Sequence, residues 1–266
     1  HRNPFFALAQ EAGSDEARLP KLKRLLVDAV GETEAARGLE GRVGILCDDR
    51  YGQDALNAAT GRGWWIGRPV ELPGSNPVEF DRGRSVGTTL IGWPAEQVVK
   101  CLVFYHPDDA IATRLENEAQ IAALHDAVQA SGHELMLEII PPKSLPRAPD
   151  TVLRAVKRLY NLGIYPEWWK LEPMAPEPWA ALDALIAERD PYCRGVVLLG
   201  LSQPVDALAQ GFRDARRSKS CRGFAVGRTI FEDPARAWLA GAIDDATLKR
   251  WRASLEFWCR PPSPYT

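Results

Sequence analysis

The chain has 266 residues, enough for one large domain, and an eight-stranded α/β barrel of about 250 residues would use nearly all of it. Hydrophobic residues make up 45% and charged residues 26%, an ordinary globular balance that fills a core without disulfide staples. With a formal net charge of -2, nothing suggests the clearly basic face that a nucleic-acid binder needs, and no run approaches the length of apolar chain that a membrane-spanning helix needs.

The basic cluster Arg213, Arg216, Arg217 and Lys219 reads as a solvated helix end. Cys47, Cys101, Cys193, Cys221 and Cys259 form no C-x-x-C pair, and their odd number suits a reduced, cytoplasmic protein. No secretory signal stands out. The chain opens on His1 with a turn and a helix over 3–12 and no strand before it. That opening predicts a single barrel domain over 1–266, cut from a longer polypeptide with its first strand largely missing.

From there strand and helix alternate. Residues 19–37 carry Leu22, Leu25, Leu26, Ala29 and Val30 at helical spacing. A short apolar strand over 43–47 ends in Asp48 and Asp49, and 52–59 returns to helix. Gly61-Arg62-Gly63 reads as a turn before a strand over 64–72. A Pro/Gly/Asn loop follows, then a strand over 98–105 and a helix over 108–130. A strand over 135–140 stops at Pro141-Pro142. A helix over 151–162 ends at Gly163. The strand 168–172, a helix over 179–188, the strand 195–199, a helix over 205–215 and the strand 223–226 complete the series, and Pro234 opens a last helical stretch. Short apolar strands alternating with helices predict a parallel sheet covered on both faces, an α/β TIM barrel one strand short of closure. A doubly wound open sheet is the rival, but no G-x-G-x-x-G follows the first strand and no phosphate-binding P-loop is present.

In such barrels the chemistry sits at the C-terminal strand ends, so inward polar residues there are informative. Alternation along 168–172 puts Trp168, Lys170 and Glu172 on one face. A lysine among Trp and Leu residues is costly to bury, which marks Lys170 as a reactive candidate; a snorkelling lysine or a buried pair with Glu172 is the plain alternative. Glu138 shares a face with Met136 and Ile140 and points inward near its strand end, as base or as structural partner. Lys100 shares a face with Leu102 and Phe104. A second ammonium near Lys170 would lower its pKa, although Lys100 lies early in its strand. Asp48 faces in with Gly44 and Leu46, while Asp49 reads as a surface cap. Gly200, Ser202, Gly227 and Arg228 close the last two strands, where backbone N–H groups and an arginine suit a phosphate. No metal or other cofactor is called for: His1, His106, His125 and His133 are scattered, and no H-E-x-x-H or G-x-S-x-G occurs. The nine tryptophans read as core residues.

Several stretches resemble one known family. They are His1-Arg2-Asn3-Pro4-Phe5-Phe6, GILCDDRYG at 44–52, WIGRPVEL at 65–72, 99–105, 135–140, 168–173, 196–200 and GFAVGRTIF at 223–231. Together they are similar to the 5-dehydro-2-deoxyphosphogluconate aldolase domain of myo-inositol breakdown, often the C-terminal half of a fusion with a sugar kinase. Class I tagatose-bisphosphate aldolases are more distantly similar. The resemblance implies an imine-forming Lys170, with Lys100 and Glu138 beside it; Asp48 is a further catalytic candidate, and Arg2 and Glu172 are candidate substrate-binding residues. It also implies a small phosphorylated keto-sugar acid as partner and, N-terminally, a fused kinase. The family's first strand, which ends in Asp just before the His-Arg pair, is absent here, and Asp49 stands where relatives often carry Glu. A metal-dependent lyase using Asp48 and Glu138, or a non-catalytic barrel supporting a fused kinase, stays open. A homo-oligomer is compatible with the sequence.

Overall fold

The computed structural model describes residues 2–200 and 204–250, without the side chains of Arg2 and Val205. Seven strands lie among them: β1 Gly44–Leu46, β2 Trp65–Pro69, β3 Val98–Phe104, β4 Leu135–Ile140, β5 Trp168–Leu171, β6 Gly195–Leu199 and β7 Cys221–Ala225. They join in one sheet in chain order. The pairs β1–β2, β3–β4, β4–β5, β5–β6 and β6–β7 are all parallel. Helices connect successive strands, so the fold is α/β of the TIM-barrel class, as the alternation predicts.

Packing divides the described residues into two compact units, one running up to Gly67 and resuming at Gly227, the other Arg68–Val226. In the first unit, the helix Leu19–Arg37 starts with Pro20 in its first turn and ends at Gly38, whose φ of 61° gives a left-handed cap. Its Leu19 and Leu22 pack with Phe5, Trp238 and Leu248. The helix Arg228–Leu239 begins six residues before Pro234, which lies inside it rather than at its start. Proline is an N-terminal signal in sequence. Here Gly227 caps the helix instead, and Phe231, stacked on Phe5 at 4.6 Å, anchors the first turn.

The second unit holds the longest strands. Every residue of β4 is buried. Leu135, Leu137 and Ile139 join Val99, Cys101 and Val103 of β3 and Trp169 and Leu171 of β5 in one apolar core. Each such aliphatic side chain contributes about 1.5–3 kcal/mol by leaving water. Trp169 Nε1 donates to Tyr160 Oη at 2.8 Å, which satisfies its one polar atom. The other face of these strands therefore carries Lys100, Glu138 and Lys170. The helix Ile111–Ser131 starts three residues later than its sequence suggests. The Asp108 N–H bonds instead to His106 Nδ1 at 3.0 Å, and the Ala110 N–H to Asp109 Oδ1 at 2.7 Å, which holds the chain in a turn. Strand β2 stops at Pro69, short of the expected Leu72, because Glu71 turns back to an antiparallel bridge with Phe80.

Candidate active site

Register sets the site. Leu102 of β3 pairs with Glu138 of β4, and Glu138 with Lys170 of β5, so the carboxylate and the lysine sit side by side on the sheet. Lys170 Nζ donates to Glu138 Oε1 at 2.8 Å. Lys100 stands one inward position lower than Glu138, yet its long side chain brings Nζ to 2.8 Å from Glu138 Oε2. It also donates to Glu71 Oε1 at 2.6 Å. The result is a row of alternating charge, Glu71, Lys100, Glu138, Lys170. All four residues are buried, as buried charges require of one another.

The two lysines are unequal. Lys100 lies between two carboxylates, which together raise its pKa against the opposing effect of burial. Lys170 ends the row, paired among the described residues with Glu138, and burial lowers its pKa, helped by the Lys100 charge and opposed by Glu138. Burial alone would raise Glu138, but the two ammonium groups hold it down to about 2. Lys170 is also the more accessible, its side chain 10% exposed against 2% for Lys100. Chemically, the row offers a lysine that releases its proton more readily than an ordinary lysine, beside a carboxylate that stabilises a positive charge at the same atom.

The structure brings together Lys100, Glu138 and Lys170, three of the residues singled out in sequence. It does not pair Lys170 with Glu172. That carboxylate instead receives both a 3.1 Å and a 2.9 Å contact from Arg147 Nη1. Asp48 belongs to the first unit, where Lys23 Nζ donates to its Oδ2 and the Tyr51 N–H to its Oδ1 at 3.2 Å. The helix that follows, Gln53–Ala59, is capped by Gly52 without a side-chain hydrogen bond. The Asp48 carboxyl lies below its usual range: burial is outweighed by the Lys23 ammonium. Gly200 follows β6, where an added Cβ would meet the Val226 methyl groups at 3.2 Å. Gly227 and Arg228 open the helix Arg228–Leu239, so Arg228 is a first-turn residue and not part of a loop. Ser202 and the Arg2 side chain lie outside the described residues, as does Cys259.

Glu71, Lys23 and Arg147 escaped the sequence reading. For Lys23 a signal existed: Leu19, Lys23 and Val27 fall four residues apart on one helix face, and all three are buried. For Glu71 the expected strand over 64–72 offered a position near a strand end, although β2 itself stops at Pro69; for Arg147 there was no signal, because it lies in neither strand nor helix. Among the described residues, no three His, Cys, Asp or Glu side chains are grouped to hold a metal ion. The four described cysteines, Cys47, Cys101, Cys193 and Cys221, form no disulfide. No described helix is long and apolar enough to cross a membrane.

The fold has counterparts among solved structures. The chain is similar to Cgl0159 from Corynebacterium glutamicum, with a TM-score of 0.58 and 18% identity, over 88% of this chain and 76% of that one. No curated protein matches the sequence. The family model described as "Uncharacterized protein conserved in bacteria (DUF2090)" matches residues 1–257, and the chain belongs to that family.

Proposed function

We propose that the protein is a class I aldolase that forms an imine on Lys170, with 2-deoxy-5-keto-gluconate 6-phosphate as substrate. The observation that carries this reading is the unequal pairing of two buried lysines. Glu71 and Glu138 keep Lys100 charged, while Lys170, at the accessible end of the row, gives up its proton more readily than an ordinary lysine.

Neutral Lys170 adds to the C5 ketone, water leaves, and the protonated imine becomes an electron sink. The C3–C4 bond then breaks. Its electron pair forms the C4–C5 double bond, the imine electrons move to nitrogen, and the C3 hydroxyl proton passes to Glu138. With both ammonium groups charged, Glu138 is a weak base, held at about 2. As the imine nitrogen loses its charge, Glu138 loses one of its two counterions, so its basicity rises at the step that needs it. Malonate semialdehyde departs. The enamine is protonated and hydrolysed to dihydroxyacetone phosphate, which returns Lys170.

The test is borohydride reduction in the presence of dihydroxyacetone phosphate, followed by peptide mass mapping. A reduced adduct on the peptide containing Lys170 is the expected result. Folded protein that yields no adduct, or an adduct confined to other lysines, would overturn the proposal.

A further inference from the structure

The ends of β4 and β5 carry a second charged group beyond the lysine row. Glu172 follows β5 directly, and Arg147 lies in the connection 141–150 after β4, which Pro141, Pro142, Pro146 and Pro149 stiffen. Arg147 Nη1 spans both oxygens of Glu172, and Nη2 donates to the Pro141 carbonyl at 2.6 Å. His106 Nε2 meets the Pro146 carbonyl at 3.0 Å and pins the same segment. The guanidinium is therefore fixed in place by backbone and aimed at a carboxylate. Its side chain is 40% exposed, whereas that of Glu172 is 11% exposed, so the arginine is open to solvent on one side. Lys143 adds a second positive charge acting on Glu172. Burial nevertheless pushes Glu172 above the ordinary carboxylate range, so the anion now in place is held under protest of desolvation.

We infer that Arg147, assisted by Lys143, is the receptor for a carboxylate on the substrate, and that the Glu172 side chain occupies this receptor until the substrate arrives. The inference rests on the imine reading of Lys170 and adds to it a specificity-determining residue: Arg147 takes the carboxylate of that oxo acid, several carbons from the reacting carbonyl. The ligand class follows from the occupant, because the arginine already holds a carboxylate across both oxygens. The placement follows from the strand. Glu172 lies two residues beyond Lys170 toward the C-terminal end of the sheet, an advance of about 6.6 Å along an extended backbone. In the covalent step the Lys170 nitrogen bonds to the carbonyl carbon and the carbonyl oxygen leaves as water. The carboxylate undergoes no bond change; it replaces Glu172 on Arg147.

Two measurements decide it. The first compares borohydride trapping on Lys170 by 5-oxohexanoate and by the uncharged 2-hexanone. The second follows calorimetric binding of glutarate, a dicarboxylate that forms no imine. In the wild type the acid should trap about tenfold faster than the neutral ketone. Arg147→Ala should bring that ratio near one and abolish glutarate binding, and Arg147→Lys, which keeps the charge but cannot hold the Pro141 carbonyl and the carboxylate with separate nitrogens, should lose most of both. Glu172→Gln should do the opposite and tighten glutarate several-fold. If Arg147 and Glu172 only fasten the 141–150 segment, both substitutions will weaken the fold alike and leave the ratio unchanged, which overturns the inference. Glutarate binding that follows this pattern, in a protein that never yields an adduct, would retain the receptor and reject the aldolase. Adducts formed without preference for the acid would do the reverse.

Discussion

If Lys170 forms the imine proposed above, Lys170→Met should abolish the borohydride-trapped adduct and lower lyase turnover at least about 10³-fold, the scale seen when a covalent nucleophile is removed. Methionine matches the length of the lysine stem and carries no charge. Glu138 keeps Lys100 at 2.8 Å in this variant, so the row loses its terminal member without stranding an anion. The folded protein itself disfavours a charged Lys170, so little stability is lost with it. Activity and fold thus separate: urea unfolding should show a smaller loss than in the Glu138 variant below, while the adduct disappears. Substantial turnover in Lys170→Met would remove the nucleophile from the mechanism and the mechanism with it.

Glu138→Gln should give the larger loss of stability. It leaves two buried ammonium groups with Glu71 as the remaining carboxylate of the row, and breaking a buried pair in this way costs about 3–5 kcal/mol. The pH dependence provides an independent check. Glu138 is held at about 2 in the folded protein against an ordinary 4.5, so its contribution is complete above pH 4.5 and is lost as pH falls toward 2. That gap corresponds to roughly 3 kcal/mol. Wild-type unfolding free energies should therefore fall through this acid window more steeply than those of Glu138→Gln. Equal slopes for the two proteins would show that Glu138 is not the buried counterion of the lysines.

Both predictions rest on residues that strand alternation made visible. Lys100, Glu138 and Lys170 interrupt apolar runs at positions of known face, and a charge there is conspicuous because burial is costly. The same reading carried β2 through Leu72 and so gave Glu71 a place along a strand, but alternation assigns a face only while the strand continues, and the chain leaves β2 at Pro69. Arg147 was harder still. Its partner is 25 residues away, and the proline-rich segment that carries it has no period from which a direction can be read. Pairings misled for a related reason. Lys170 and Glu172 are near in sequence and share a face, yet each found its closest partner on another element, Lys170 on β4 and Glu172 on the 141–150 connection. Proximity along a strand end says which side chains can meet, not which oppositely charged group is nearest in space.

Ionic strength distinguishes the two charged groups. Mobile ions reach exposed charges and shorten the range of their interaction from about 8 Å at physiological concentration to about 3 Å at 1 M. The side chains of Glu71, Lys100 and Glu138 are no more than 5% exposed, so dissolved ions find no room among them. Arg147, with 40% of its side chain in water, has no such shelter. Raising sodium chloride from about 0.1 M to about 1 M should therefore weaken capture of an anionic ketone while leaving the rate of imine formation from bound ketone nearly unchanged. The protein would keep its reactive nitrogen ready in brine and lose chiefly its grip on what it is meant to react with.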